Sequence, residues 1–298
     1  MKIVITGANG LLGQVLVNLL SQSHPSSIVH ALGRGEKRIP ELLSNHLYYH
    51  EIDLTDGIRV ADLIATIRPD AIIHAAAMTQ IDDCELNPIA CWNINVTATR
   101  FLIQAAEEVG AFFSYISTDF VFDGETGPYI ETDLPAPVNY YGSSKLAAEK
   151  AVQTSDLSWN IIRTVLVYGN SYDGTRSNII RWVKNNLEAG KPIKVVNDQW
   201  RTPTYVEDLA KGIISAVIKN ATGIYHISGA QMLTPYDMAI ATAEYLHLDQ
   251  SLIEKVTAAT FTQPGKRPPK TGFIIDKAMQ TLNYQPLSFK EGLIQMLG

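Results

Sequence analysis

The residues best placed for chemistry are Tyr141 and Lys145, in the stretch Asn139-Tyr140-Tyr141-Gly142-Ser143-Ser144-Lys145. Four apart on a helix, they share a face, whereas Tyr140 points elsewhere. A phenol with an ordinary pKa of about 10 is a poor acid or base at neutral pH. An ammonium about 5 Å away, at an effective dielectric near 20, favours the phenolate by roughly 3 kcal/mol. The spacing therefore predicts a tyrosine acidified by its neighbour and suited to proton transfer. Chance would supply roughly 0.6 such Tyr–Lys pairs in a chain of this composition, so the pair gains meaning only from its company. That company includes a hydroxyl pair, Ser117-Thr118, able to donate to a substrate carbonyl.

A second motif, Gly7-Ala8-Asn9-Gly10-Leu11-Leu12-Gly13, follows an apolar run at the N-terminus. Gly7 suits a tight turn, Gly10 lets backbone approach a pyrophosphate, and Gly13 permits close helix–strand packing. The amides of Asn9, Gly10 and Leu11 then lie at a helix N-terminus, where the dipole favours an anion. This predicts a dinucleotide site. The place where an NAD-selective site carries an acid holds Gly33-Arg34, with Lys37 and Arg38 following. A guanidinium there suits a 2′-phosphate, which favours NADPH over NADH. Asp53-Leu54 either reaches the adenine edge or begins the next helix as a cap.

These motifs need elements to hold them. Short β-branched runs at Ile3–Thr6, Ile28–Leu32, Tyr48–Ile52, Ala71–His74, Phe112–Ile116 and Asn160–Arg163 alternate with helical patterns. Those patterns cover Gly10–Leu20, a stretch through Ala61–Ile67, and Pro88–Val109. The alternation predicts an α/β fold, a Rossmann-type doubly wound parallel sheet. After about residue 168 the rhythm changes. Asn170–Ser177 reads as loop, prolines multiply, and helical patterns recur at Ser177–Glu188, Val206–Lys219, Pro235–Tyr245 and Phe289–Leu297. The expected division is a cofactor domain of residues 1–168 plus about 203–228. A smaller, discontinuous C-terminal substrate domain takes about 169–202 and 229–298.

Composition excludes several classes. The chain of 298 residues carries a net charge of -6, the wrong sign for a general nucleic-acid binder. No 18-residue apolar window predicts a membrane span. The seven histidines show no HxH or HExxH spacing, so no metal site is predicted. His74 reads as a satisfied core residue, and Asp82-Asp83 with Glu85 as a solvated helix start, with a place near the substrate as the alternative for Asp82. Cys84 and Cys91, seven apart on one predicted helix, read as buried packing in a reducing compartment. A cytoplasmic protein follows, and a homodimer is compatible with it.

Together, Gly7–Gly13, Ser117-Thr118-Asp119-Phe120-Val121-Phe122-Asp123-Gly124 and Tyr141–Lys145 resemble the extended short-chain dehydrogenase/reductase family. The resemblance is strongest to its dTDP-4-dehydrorhamnose reductase branch, which acts on nucleotide-linked 4-keto-6-deoxy sugars. His74–Asp82, Arg163-Thr164 with Val167-Tyr168-Gly169, and Arg267-Pro268 support it. The resemblance implies Tyr141 as proton donor, with Lys145 as its partner and holder of the nicotinamide ribose. It implies Thr118 as the hydroxyl polarising the carbonyl, with Ser117 as second choice. Ala75, Ala76 and Ala77 would pass beside the cofactor, as would Leu12, with Asn95 supporting from behind. Thr79 and Asp119 would contact the sugar, and Arg267 the diphosphate. Leu166 stands where the branch commonly has tryptophan, Phe120 where tyrosine is usual, and Trp200-Arg201 where a smaller pair is usual, all substrate-facing. A regulatory subunit like that of methionine adenosyltransferase shares this pattern without being an enzyme. An epimerase or dehydratase is a further alternative, although Phe120 replaces the acid that a dehydratase wants after Asp119.

Overall fold

The computed structural model describes residues 1–39, 46–172 and 178–298. Its centre is a seven-stranded, all-parallel sheet. The strands are β1 (Lys2–Thr6), β2 (Ile28–Gly33), β3 (Leu47–Glu51), β4 (Ala71–His74), β5 (Phe112–Thr118), β6 (Trp159–Thr164) and β10 (Gly223–His226). Their order is β10-β6-β5-β4-β1-β2-β3. Buried on both faces, β4 and β5 are wholly enclosed, as parallel strands covered by helices must be.

One face is covered by α1 (Leu11–Ser23) and α8 (Val206–Ile218). Val15, Leu16 and Leu20 of α1 join Leu209, Ile213 and Val217 of α8 in one core. The other face is covered by α2 (Gly57–Ile67), α5 (Ala98–Val109) and α6 (Tyr140–Gln153). Val60, Ile64, Leu102, Ala106, Ala148 and Val152 pack there against Val4, Ile72 and Phe113.

The expected single helix over Pro88–Val109 is broken. α3 (Ile81–Leu86) and α4 (Pro88–Trp92) precede a π-helical turn, Asn93–Thr97, which leads into α5. Such turns concentrate at functional sites. Cys84 and Cys91 are buried as expected, but on α3 and α4 respectively.

The remaining elements are β7 (Val167–Tyr168), α7 (Ile179–Glu188), β8 (Ile193–Val196), β9 (Thr204–Tyr205), α9 (Pro235–Tyr245), β11 (Ile253–Val256), α10 (Asp276–Leu282) and α11 (Phe289–Leu297). Two small sheets, β7–β9 and β8–β11, carry cores of their own. The loop expected at Asn170–Ser177 lies mostly outside the described residues, as does the expected helix start at Ser177. α7 begins at Ile179, capped by Asn178.

Candidate active site

From β1 the strand order runs outward in both directions, so the topological switch lies between β1 and β4, where ligands of such sheets bind. Thr6 and His74 are register partners at those carboxyl ends. The backbones that follow nearly touch, since a Cβ on Gly7 would lie 2.8 Å from Ala76 N. Gly7 also holds φ +68°, a conformation open to glycine. A Cβ on Gly13 would strike the Gly7 carbonyl and lie 2.7 Å from Ala8 Cα. Gly10 caps α1 without a side-chain bond, which leaves first-turn amides for an anion.

A cleft of about 1180 Å³ opens from this turn, beyond the roughly 300–1,000 Å³ of ordinary small-molecule pockets. Gly7, Asn9, Gly10, Leu11, Leu12, Gly13, Arg34, Asp53, Leu54, Ala75, Ala76 and Ala77 line it. Asn9 spends its side chain on the neighbouring loop: Nδ2 donates to the Arg34 and Glu36 carbonyls at 3.0 and 2.9 Å, and Oδ1 accepts from Arg38 N at 2.9 Å. Asp53 closes a turn, accepting from Thr55 N at 2.9 Å and Thr55 Oγ1 at 2.8 Å. These bonds hold its carboxyl below the usual range. The cap of α2 is Asp56.

His74 is a core residue. Nδ1 pairs with Thr6 Oγ1 at 2.7 Å and Nε2 with Thr99 Oγ1 at 2.9 Å, and burial pulls its pKa down to about 3. Asn95, on the π turn, brackets Met78: Oδ1 accepts from its amide at 2.8 Å and Nδ2 donates to its carbonyl at 3.0 Å. It therefore shapes the segment after β4 and does not line the cleft.

Tyr141 and Lys145 share the cleft wall with Ser117, Thr118, Asp119 and Phe120. Asn139 caps α6, accepting from Gly142 N at 2.7 Å. Gly142 lets that first turn rest on Phe120, whose carbonyl carbon would lie 2.9 Å from a Cβ. Lys145 Nζ donates to Ile116 O at 2.6 Å and lies 4.1 Å from the Tyr115 ring centre. Burial pulls its pKa down to about 7, against the Glu149 charge, which raises it.

The expected acidification of Tyr141 does not hold. Burial pushes the phenol up, only partly offset by its hydrogen bond with Thr118, and the Asp119 charge adds to the rise. Loss of water disfavours the charged phenolate, and the same burial weakens Lys145 as a cation. Ser117 cannot easily serve as the polarising hydroxyl, because its Oγ donates to Glu149 Oε1 at 2.5 Å.

Of the expected substrate residues, Thr79, Asp119, Phe120 and Leu166 line the cleft, whereas Trp200, Arg201 and Arg267 do not. Asp119 is buried, accepting from Thr118 Oγ1 at 3.1 Å and from Thr271 Oγ1, with Arg201 Nε 3.8 Å away. Arg201 also donates to the Trp200 and Pro268 carbonyls at 2.7 and 2.8 Å. Arg267 grips Asp82 through Nη1 at 2.6 Å and Nη2 at 2.7 Å. Asp82, expected to be solvated, is thus an ion-pair partner, and the guanidinium expected on a diphosphate is already engaged. Sequence reasoning missed Met78, Gln80, Ile81, Thr164 and Asn178, all in the cleft wall. Position after β4 was the available signal for Met78, Gln80 and Ile81, and the carboxyl end of β6 for Thr164. Leu166, at φ +35°, holds a conformation uncommon for a branched side chain.

The model of the family described as RmlD substrate binding domain matches residues 1–298. The chain belongs to this family. It is 34% identical over 272 residues to the probable low-salt glycan biosynthesis reductase Agl14 of Haloferax volcanii, covering 90% of this chain and 87% of that protein. It is 32% identical to methionine adenosyltransferase 2 subunit beta of Rattus norvegicus, covering 99% and 87%. A dTDP-4-dehydrorhamnose reductase from Bacillus anthracis, solved in complex with NADP, superposes with a TM-score of 0.86 at 29% identity, covering 99% and 98%.

Proposed function

We propose that the protein is a reductase of a nucleotide-linked 4-keto-6-deoxy sugar, with dTDP-4-dehydrorhamnose the leading substrate and NADPH preferred over NADH. The observation that carries this reading is one cleft running from the glycine turn to Tyr141, Thr118 and Lys145. The glycine cradle suits a dinucleotide: the bare Gly10 cap and the uncapped amides of α1 would hold a pyrophosphate, and Arg34 would meet a 2′-phosphate.

When bound in that cradle, a dihydronicotinamide would supply the hydride that the keto carbon needs. Thr118 Oγ1, whose proton lies on Asp119 Oδ1 at 3.1 Å, a longer bond than the one that holds Ser117, turns that proton to the carbonyl oxygen when substrate enters. Tyr141 Oη gives its proton to that oxygen as negative charge develops there. Burial keeps the phenol protonated but weakens it as an acid, so the proton moves only as the far more basic alkoxide develops on the substrate. Lys145, titrating near neutrality, would hold the nicotinamide ribose and, in its charged form, stabilise the phenolate left behind. Preorganised donors on a buried wall supply much of the acceleration.

Residues 1–168 with about 203–228 form the cofactor domain in this reading, and about 169–202 with 229–298 the substrate domain. Cytoplasmic residence fits two unpaired buried thiols and the lack, among the described residues, of a helix long and apolar enough to cross a membrane.

The test is oxidation of NADPH, followed by absorbance, with the dTDP-4-keto-6-deoxy sugar as substrate. Tyr141→Phe should lower kcat by about 10²–10⁴-fold while leaving NADPH affinity within about twofold. Equal rates for the variant refute the assignment. The similarity to the methionine adenosyltransferase subunit supports a second reading, a cofactor-binding regulatory module. NADPH binding with no turnover, and a stable stoichiometric partner, would favour it.

A further inference from the structure

Behind the cleft lies a charged pair to which the chemistry above gives no task. Glu149 and Arg163 are 0% and 1% exposed. Arg163 donates through Nε at 3.0 Å and Nη2 at 2.7 Å to the two carboxylate oxygens. Ser117 donates to the same carboxylate, and Ser117 and Arg163 are register partners on β5 and β6. Lys145, one helical turn before Glu149, donates to the Ile116 carbonyl. α6 therefore grips two successive residues of β5, Ile116 and Ser117, and the next residue is Thr118. A buried ion pair is weak evidence for net stability, since apolar packing of similar volume often serves as well. Fixing a geometry explains it better.

We propose that Glu149, braced by Arg163, is a positioning residue: through Ser117 it sets the strand end carrying Thr118 against the helix carrying Tyr141 and Lys145. The clamp itself follows from the packing; its effect on turnover rests on the reductase reading. A misplacement of about 1 Å at a reacting group costs on the order of 100-fold in rate.

The experiment compares wild type, Ser117→Ala and the double variant Glu149→Met/Arg163→Met, in which two apolar chains of similar length replace the pair. Thermal melting, steady-state kinetics with NADPH and the keto-sugar nucleotide, and amide hydrogen exchange are measured on each. Both variants should melt close to wild type and keep both KM values within about threefold, yet lose about 10–100-fold in kcat. Exchange at the Ser117–Phe120 amides should rise tenfold or more relative to the rest of the sheet. Wild-type kcat and exchange in both variants overturn the clamp. So does a loss confined to Ser117→Ala, which would mean that this hydroxyl acts on substrate directly. Should the double variant not fold, unchanged protection in Ser117→Ala overturns it. An inactive wild type defeats the reductase reading alone, and exchange still decides the clamp.

Discussion

The two halves of the cleft are built differently. The cofactor half comes from chain segments close in sequence to strand ends: the turn after β1, Arg34 just after β2, Asp53 after β3, and Ala75–Ala77 after β4. Its geometry depends on backbone, and on glycines that admit no Cβ. The substrate half is held by side chains far apart in sequence. Arg267 reaches Asp82 across 185 residues, Thr271 reaches Asp119 across 152, and Asn139 reaches the Lys266 carbonyl at 2.8 Å across 127. Backbone shape tolerates almost no substitution at its tight points, whereas a network of side chains can be retuned.

This contrast is open to test. The largest effect should follow Gly13→Val, which forces a side chain into the Gly7 carbonyl. NADPH binding, followed by nicotinamide fluorescence, should weaken by about 100-fold, or about 3 kcal/mol, with a lowered melting temperature. Unchanged binding would remove the backbone argument for the cofactor half. Arg34→Ala should weaken NADPH by about 10–100-fold, the worth of a charge-assisted hydrogen bond, and leave NADH nearly unaffected. Equal losses for both cofactors would assign Arg34 elsewhere.

Lys145 gives a pH-dependent comparison. Its pKa is about 7 folded against 10.5 in the ordinary state. Below pH 7 it is charged in both states and its burial penalty is complete. Between 7 and 10.5 the unfolded chain binds the proton and the fold does not, so stability from this group rises with pH. Wild type should therefore gain melting temperature relative to Lys145→Met between pH 7 and 9. A flat difference across that range would contradict the burial argument.

The smallest effect belongs to the substrate half. Asp82→Asn loosens a partly exposed pair, with a stability cost under about 1 kcal/mol. The KM for the sugar nucleotide should rise severalfold while that for NADPH stays put. A change in NADPH KM instead would dissolve the division between the halves.

Much of the scaffold was readable beforehand because periodicity reports burial. Six strands and the helices at Pro235–Tyr245 and Phe289–Leu297 lie where alternation and 3.6-residue spacing put them. The seventh strand, Gly223–His226, was not singled out, because four residues opening on glycine carry no strong pattern. The π turn at Asn93–Thr97 was equally hidden, since its residues have the periodicity of a continuous helix. For the site, the glycine spacing and the hydroxyl, tyrosine and lysine set were legible, whereas the partners of Asp82, Glu149 and Arg201 were not.

By itself the amino-acid sequence determined most of the segments that become strands and helices, and where glycine is required, because those follow from local sterics and from the spacing of apolar side chains. Only the tertiary structure decided which charges meet and how the tyrosine titrates. Those depend on distances between residues remote in the chain and on how much water each group loses, and neither quantity is written in a one-dimensional pattern.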